Sequence, residues 1–303
     1  MNLLITGAFS CTKEQIVYIE SLGHKVIFLS QEKDMLPCDY SDIEGIIGND
    51  IFVHHPIEKF TSLKFIQLTS AGFDRVPMDF VKEKGIKIFN ARGVYSIPMA
   101  EFALTGVLNL YKKMEFFSQN QKHHTWEKHR GVQELFGKTV LIVGAGNVGN
   151  ECAKRFTAMG CTVFGCDLYP TKTENFFDVL PLDKLNMLLG KADIVVLTLP
   201  LTAETKHLFS KDKFETMKCG ALLVNIARGA VVNTDDLIIA LNKNLSGAVL
   251  DVFETEPLDK NSSLWDMDNV IITPHNSFVG EGNNERLFKV ITDNLCLGDY
   301  CGK

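Results

Sequence analysis

Residues 140–156, VLIVGAGNVGNECAKRF, constrain the fold of this chain more than any other segment. An apolar strand pattern leads into Gly144, Gly146 and Gly149, which have the spacing GxGxxG, and a helical pattern follows. The first glycine allows a tight turn, the second lets the backbone approach a pyrophosphate, and the third lets the helix pack on the strand. The N–H groups at the start of the helix then point at the phosphates. The segment therefore predicts a dinucleotide site in a parallel α/β sheet.

The acidic residue Asp167 indicates which dinucleotide is bound. It ends the next strand pattern, CTVFGCD (161–167), 18 residues after Gly149. A carboxylate there accepts hydrogen bonds from the ribose hydroxyls and repels a 2′-phosphate, and no arginine lies in CDLYPTK (166–172). NAD is therefore expected rather than NADP. The structural alternative is that Asp167 caps a turn before Pro170.

Strand and helix patterns alternate along nearly the whole chain, which predicts parallel sheets covered on both faces. A helix pattern over 12–23 ends at a glycine, and a long amphipathic helix is predicted over 96–117, with Ser96 as its N-cap and Pro98 in its first turn. This long helix is expected to connect two α/β domains. The predicted strands are 2–6, 25–29, 45–48 and 64–68 before it, and 138–146, 161–167, 193–200, 221–227, 247–253 and 269–273 after it.

Composition excludes several classes of protein. The net charge is −6 and the sequence pI is near 5.8, so no global electrostatic attraction to nucleic acid is expected. No basic segment precedes the first apolar run, and no stretch approaches 18 consecutive apolar residues, so neither a signal peptide nor a membrane span is expected. The eight cysteines, Cys301 among them, form no CxxC pair, and the histidine pairs lack metal-ligand spacing. We expect a cytoplasmic protein with reduced thiols and no metal site.

Polar side chains follow three late strands in the second half of the chain. Arg228 follows ALLVNIA, Asp251 and Glu256 lie in GAVLDVFETEP, and His275 follows VIITP. Ligands of doubly wound sheets bind outside the carboxyl ends of the strands, so these side chains are expected at one edge.

These residues suit the reduction of an α-keto acid to an α-hydroxy acid and the reverse reaction. A histidine donates the proton to the carbonyl oxygen, Glu256 orients the ring of His275, and Arg228 holds a carboxylate and polarises the carbonyl. The nicotinamide supplies the hydride. Asp251 in an apolar strand needs a hydrogen-bond donor, and a carboxamide is one candidate. The structural alternatives are an ion-pair role for Arg228, a turn role for Glu256 and a surface position for His275.

The chain resembles the D-isomer-specific 2-hydroxyacid dehydrogenases over nearly its whole length. The matching stretches are TSAGFDRVP (69–77), GIKIFNARGVYSIPMAEFAL (85–104), VGAGNVG (143–149), LTLPLTAETKHLF (197–209), MKCGALLVNIARGAVVNTDDL (217–237), LDVFETEP (250–257) and ITPHNSF (272–278).

The resemblance implies an Arg/Glu/His catalytic set, which falls on Arg228, Glu256 and His275. It implies that the loop Ser70, Ala71, Gly72 binds the substrate carboxylate through backbone N–H groups, together with Arg228. Cofactor contacts would come from the three loop glycines and from Asn147, Val148, Asp167, Thr198, Pro200, Ala227 and Asp251.

The resemblance also implies the architecture. Two Rossmann-like α/β domains are expected, with the active cleft between them: a flavodoxin-like substrate domain (1–94 plus 280–303) and a doubly wound NAD-binding domain (95–279). By analogy, the chain would form a homodimer through the helix and arm around 100–137.

Some choices stay open at this point. Asn49 lies where phosphate-handling members of the family tend to carry an arginine, although His54, His55 or Arg75 would offer a phosphate another partner. The alternatives to a dehydrogenase for a small 2-hydroxy acid are a phosphoglycerate dehydrogenase of serine synthesis and a non-catalytic NAD-sensing protein. Sequence does not rank the side chains of the substrate.

Overall fold

The structure, a computed structural model, describes residues 1–171 and 173–297. Lys172 and residues 298–303, which include Cys301 and the end of the expected substrate domain, lie outside the described part. Internal contacts divide the described chain into two units, residues 1–95 with 280–297 and residues 96–279. Tyr95 belongs to the first unit and not, as expected, to the second, because its hydroxyl donates to the Thr69 carbonyl and its ring packs in that unit's core.

The elements follow in chain order. They are β1 (Asn2–Thr6), α1 (Lys13–Ser21), β2 (Lys25–Leu29), β3 (Gly45–Gly48), α2 (Ile51–His54), β4 (Phe65–Leu68), α3 (Met78–Glu83), β5 (Lys87–Phe89), α4 (Ser96–Tyr111), α5 (Met114–Lys122), β6 (Thr139–Val143), α6 (Asn147–Ala158), β7 (Thr162–Asp167), β8 (Asp178–Pro181), α7 (Leu185–Leu189), β9 (Ile194–Leu197), α8 (Lys211–Thr216), β10 (Leu222–Asn225), α9 (Thr234–Lys243), β11 (Gly247–Leu250), β12 (Val270–Ile272) and α10 (Asn283–Leu297).

The first unit is a five-stranded parallel sheet in the order β2-β1-β3-β4-β5. Successive residues of β1 point to opposite faces, so Leu3 and Ile5 enter one core and Leu4 enters the other. Helices α1 and α10 cover the first of these faces, with Ile291 fully buried on α10. Burial on both faces explains why the three central strands, β1, β3 and β4, are mainly apolar runs.

The second unit is a seven-stranded parallel sheet in the order β12-β11-β10-β9-β6-β7-β8. Helices α4 and α6 cover one face, and α7, α8 and α9 cover the other. Helix α4 approaches the sheet closely, because a Cβ on Gly106 would lie 2.6 Å from a methyl group of Val249. The predicted fold class, two parallel α/β domains with Rossmann-like topology, is confirmed.

Four details of the predicted elements were wrong. In the first unit, the sequence did not predict β5, a three-residue edge strand. In the second unit it predicted six strands, whereas β8 adds a seventh, a four-residue edge strand ending in Pro181. The helix over 96–117 is two helices, since Lys113 has a left-handed backbone with φ of 56° between α4 and α5. Helix α4 buries seven of its 16 residues, the last of them Tyr111, while α5 buries none. Ser96 is the first helical residue and not an N-cap.

Within residues 1–171 and 173–297, no helix combines the length and apolar character that a bilayer crossing requires. The same residues contain no cluster of three side chains suited to hold a metal ion. Free thiols are present at Cys11, Cys38, Cys152, Cys161, Cys166 and Cys219.

Candidate active site

The glycine loop between β6 and α6 leaves space where a pyrophosphate would approach. Gly144 has φ of 107°, a conformation that favours glycine, and its N–H donates to the Cys166 carbonyl at 2.8 Å. A Cβ on Gly149 would lie 2.0 Å from the Gly144 carbonyl oxygen, so only glycine lets α6 pack this closely. By contrast, a Cβ on Gly146 would meet no atom within 4 Å. The first and third glycines therefore serve the packing, and the second lies beside open space.

The N-terminus of α6 has no side-chain cap, because Gly146 is its N-cap residue. Helix starts carry backbone N–H groups without intrahelical partners, and a bound anion satisfies them. Asn147 is exposed and Val148 half-buried at this end of the helix. An uncapped 12-residue helix behind an open glycine fits a dinucleotide phosphate.

Asp167 has two partners within the protein. Its Oδ2 accepts the N–H of Ala145 at 2.6 Å, and its Oδ1 accepts the N–H of Tyr169 at 2.9 Å. The turn-capping alternative is therefore real, and the same carboxylate also fixes the glycine loop. A carboxylate accepts about four hydrogen bonds, so it retains capacity for ribose hydroxyls.

Thr198 braces the loop from the neighbouring strand. Its N–H donates to the Val143 carbonyl at 2.9 Å, and its hydroxyl donates to the Gly144 carbonyl at 2.6 Å. Pro200 is exposed, whereas Ala227 is buried with its N–H on the Asn225 side chain. Thr198 thus fixes the start of the glycine loop by two direct hydrogen bonds to backbone carbonyls.

His275 and Glu256 form a hydrogen-bonded pair. Nδ1 of His275 lies 2.9 Å from Oε2 of Glu256, and the other carboxylate oxygen accepts the Phe253 N–H at 3.1 Å. Both side chains are about two-fifths exposed, at 43% and 38%. Nε2 of His275 makes no hydrogen bond to any described residue, so this nitrogen is available to a ligand. The backbone of His275 is left-handed, with φ of 52°.

Arg228 lies at the same site. It is half-buried, and its guanidinium donates one bond to the Ala227 carbonyl at 2.8 Å. No ion pair involves Arg228 among the residues that the structure describes, so the ion-pair alternative finds no support. A cavity of about 280 Å³ is lined by Leu201, Arg228, Gly229, Ala230, Val252, Phe253, Glu254, Glu256 and His275.

Asp251 is fully buried and has donors from its own chain. Oδ1 accepts the Thr273 hydroxyl and the Asn276 N–H, both at 2.7 Å, and Oδ2 accepts the Ser277 N–H at 2.9 Å. The Asp251 carbonyl also accepts the His275 N–H at 2.8 Å. Asp251 therefore needs no carboxamide to satisfy it, and it holds the loop that carries His275.

Glu254 is a structural residue that sequence reasoning missed. Its Oε1 lies 2.5 Å from Nε2 of His207, and its Oε2 accepts the Thr234 N–H at 2.8 Å and the Thr234 hydroxyl at 2.5 Å. The loops after β9, β10 and β11 thereby meet at one carboxylate. Burial raises the pKa of Glu254, but the hydrogen bonds from Thr234 and His207 outweigh burial, and the net pKa is lowered. The only signal in the sequence was one acidic residue two positions before Glu256.

In the first unit, the loop Ser70–Gly72 follows β4. Its carbonyls are held by the neighbouring segment: Asn90 donates to Ala71 at 2.6 Å, and the Ala91 N–H donates to Ser70 at 2.8 Å. The N–H groups of Ala71 and Gly72 have no partner among the described residues. The loop thus presents two donors.

Comparison with known proteins agrees with these features. Residues 104–277, more than half of the chain, match the family model described as D-isomer specific 2-hydroxyacid dehydrogenase, NAD binding domain. A D-3-phosphoglycerate dehydrogenase from Methanocaldococcus jannaschii is 35% identical over 282 residues, covering 91% of this chain but 53% of that protein. The chain thus spans about half the length of that relative.

Two further proteins resemble the chain over most of both lengths. A D-lactate dehydrogenase from Staphylococcus aureus is 31% identical over 87% of this chain and 84% of its own. The structure of a D-lactate dehydrogenase from Aquifex aeolicus, complexed with NAD and lactic acid, has a TM-score of 0.77, 26% identity, and coverage of 99% of this chain and 96% of its own. The chain therefore belongs to the D-isomer-specific 2-hydroxyacid dehydrogenases, NAD-dependent oxidoreductases that act on CH–OH groups.

Proposed function

We propose that this chain transfers a hydride between NAD(H) and a small 2-keto or 2-hydroxy acid of D configuration. The observation that carries the proposal is the His275–Glu256 pair, which leaves Nε2 of His275 without a protein partner in a cavity shared with Arg228. The same unit contains the open glycine loop.

In the proposed mechanism, His275 is the acid and base. Bound NADH supplies the hydride to the carbonyl carbon. Nε2 of His275 donates a proton to the carbonyl oxygen during reduction and takes it back during oxidation. Glu256 fixes the ring by accepting from Nδ1 and stabilises the imidazolium. Arg228 holds the substrate carboxylate and polarises the carbonyl.

The remaining site residues are assigned by the same proposal. Ser70, Ala71 and Gly72 bind the substrate carboxylate, supported by the two unpartnered N–H groups of their loop. The dinucleotide is held by the glycine loop, by Asp167 at the ribose, and by Asn147, Val148, Thr198, Pro200 and Ala227. Asp251, which is fully buried, would act on the cofactor site only through the loop that it holds. Asp167 is the reason that we expect NAD to be preferred over NADP.

The test is NADH oxidation by the purified protein with glyoxylate, pyruvate, hydroxypyruvate and phosphohydroxypyruvate, with NADPH in parallel. We expect turnover with at least one acid and a fall of about 10²–10⁴-fold in kcat for His275→Ala. NADH binding, followed by fluorescence, should change little. Lys191→Ala, which alters an exposed side chain outside the cavity and outside the arm proposed below, is the control.

Two other functions are outcomes of this experiment. Preference for the phosphorylated acid would favour a phosphoglycerate dehydrogenase, the activity named for the relative from Methanocaldococcus jannaschii. Tight NADH binding without turnover on any acid would favour a non-catalytic NAD sensor. Turnover retained by His275→Ala would remove this residue as the acid.

We also propose a homodimer that forms through the arm, defined as α5 and residues 123–137. Trp126 is 99% exposed and Phe136 is 79% exposed. A cavity of about 900 Å³ is lined by residues of the arm between Phe117 and Val132. Exposed large apolar side chains in one segment favour a protein interface.

A cytoplasmic location without nucleic-acid partners is proposed from the free thiols and the net charge of −6.

A further inference from the structure

The first unit has the geometry in which open α/β sheets bind ligands. Its chain runs from β1 outward to β2 and then returns to β3 on the other side of β1, so the strand order reverses between β1 and β3. Ligands of open α/β sheets bind outside the carboxyl ends of the strands at this point. In this protein, the side chain of Glu32 lies there.

The Glu32 carboxylate is bound by both strand ends. Oε1 accepts the hydroxyl of Thr6, the last residue of β1, at 2.7 Å, and the N–H of Asn49, which follows β3, also at 2.7 Å. Oε2 accepts the N–H of Asp50 at 2.5 Å. A Cβ on Gly48 would lie 2.6 Å from Oε1, so glycine makes room for the carboxylate. The donors that an external anion would use are therefore already bound to an anion of the chain.

Two of the three basic side chains near this position have partners within the chain. Arg75 forms an ion pair with Asp50. His55 is 6% exposed, with Nδ1 on the Tyr40 hydroxyl at 2.8 Å and Nε2 on the Glu32 carbonyl at 2.9 Å. Of the three phosphate partners that the sequence suggested, only His54 is exposed and has no hydrogen-bond or ion-pair partner among the described residues.

This position adjoins the loop Ser70–Gly72. The Thr69 N–H donates to the Gly48 carbonyl at 2.9 Å, which joins the ends of β3 and β4. When the substrate carboxylate binds this loop, as the proposed function requires, a substrate side chain directed toward the end of β3 would lie next to Glu32 and Asp50. There, a second anionic group on the substrate would meet the carboxylates of Glu32 and Asp50, and like charges repel.

We propose that Glu32 determines substrate specificity by admitting 2-keto acids with an uncharged side chain and rejecting those with a phosphate, a sulfonate or a second carboxylate. This inference rests on the proposed function and narrows it to one class of substrate. Glu32 acts by charge and by occupying the N–H groups of Asn49 and Asp50.

The experiment compares hydroxypyruvate with phosphohydroxypyruvate, two substrates that differ by one phosphate. The wild-type protein is expected to prefer hydroxypyruvate in kcat/KM by at least about tenfold. Glu32→Gln is expected to reduce that preference severalfold, mainly through a lower KM for the phosphorylated acid. Asp50→Asn should shift the preference in the same direction, because it frees Arg75 to meet the phosphate.

Glu44→Gln is the matched control. Glu44 also accepts a backbone N–H, that of Asn2 at 3.0 Å, and also pairs with a cation, Lys64, but it lies at the opposite end of the same sheet. The Glu44→Gln substitution should leave the preference for hydroxypyruvate over phosphohydroxypyruvate unchanged. Thermal unfolding of all three variants separates a change of specificity from a loss of fold, and the two variants at the site act through different groups.

The outcomes separate the two proposals. Equal or better wild-type turnover of the phosphorylated acid would overturn the specificity role while leaving the dehydrogenase intact. So would an unchanged preference in folded Glu32→Gln and Asp50→Asn proteins. Failure to turn over any acid with bound NADH would refute the proposed function itself.

Discussion

At the scale of single residues, one buried carboxylate supports the proposed proton donor. Asp251 accepts three hydrogen bonds from the segment Thr273–Ser277, and its carbonyl binds the N–H of His275. The strand-end pattern predicted that Asp251 needs donors, but no feature of the sequence identified them. The partners became visible only when the loop folded back over the strand end.

Replacing Asp251 with asparagine should therefore impair catalysis through His275. One carboxamide oxygen cannot accept all three bonds, and its NH2 group opposes a backbone N–H. We expect kcat to fall at least about tenfold and the unfolding free energy to fall by about 1–3 kcal/mol. Stopped-flow reduction and urea unfolding measure the two effects.

Thr273→Val is the graded control for this prediction, because it removes one of the three bonds. It should give a smaller loss in both quantities. Unchanged kcat in Asp251→Asn would show that the loop is held by other contacts.

The expected Glu256–His275 contact is observed at 2.9 Å, and it was predictable because parallel strands bring their carboxyl ends to one edge. The catalytic roles of both residues remain proposals. The three-way contact of Glu254 was not predictable, because its partners His207 and Thr234 lie 47 and 20 residues away in sequence.

At the scale of elements, Glu254 links the loops that follow three adjacent strands. Gly229 packs against the same segment, since a Cβ on it would lie 1.9 Å from the Phe253 carbonyl carbon. The segment that carries Glu256 and the turn after Arg228 are thus fixed to each other. We therefore expect the stability of the second unit to depend on the negative charge of Glu254.

This dependence predicts a pH effect on stability. The folded pKa of Glu254 is lowered, so its ionised form stabilises the fold above the unfolded pKa, and this contribution is lost as the pH falls through the folded pKa. Glu254→Gln should be less stable than wild type at pH 7, and the difference should shrink below about pH 4. Urea unfolding at pH 7 and in the acid range measures this.

Glu215→Gln, which alters an exposed carboxylate on α8, is the control for pH effects unrelated to the loops. A gap between wild type and Glu254→Gln that stays constant over the whole range would contradict the charge argument.

The long apolar strands were predictable at this scale, because burial on both faces gives continuous runs of valine, leucine and isoleucine. Strands β5 and β8 were missed because they are short edge strands whose few residues include a charged one, Lys87 or Asp178. The edge strand β12, which is equally short but wholly apolar, was predicted. The break between α4 and α5 was missed because apolar periodicity continues past Tyr111, whereas the burial of side chains stops there.

At the scale of the whole molecule, the family assignment was predictable from the order of the motifs and is confirmed. The class of substrate was not, because it depends on which side chains occupy a strand end. Glu32 reaches that strand end because its carboxylate binds the N–H of Asn49, 17 residues later in the chain. A contact between two loop residues leaves no periodic pattern in the sequence.

The proposed dimer makes a prediction at the same scale. Trp126→Glu places a charge on the arm, so we expect it to shift the protein toward monomer in sedimentation velocity, with little change in NADH binding. Trp265→Glu is the matched control, because Trp265 is the other tryptophan, is half-exposed, and lies outside the arm. A wild-type monomer, or an unaffected dimer in Trp126→Glu, would exclude this interface.

Because the backbone of His275 is left-handed, selection for stability and selection for activity favour different residues at position 275. A non-glycine residue in that conformation costs about 1–2 kcal/mol, which glycine avoids and asparagine partly avoids. A population of variants sorted for abundance alone would therefore drift toward glycine or asparagine at position 275. A population sorted for turnover would keep histidine and accept the cost, so the frequencies at this one position would report which property had been selected.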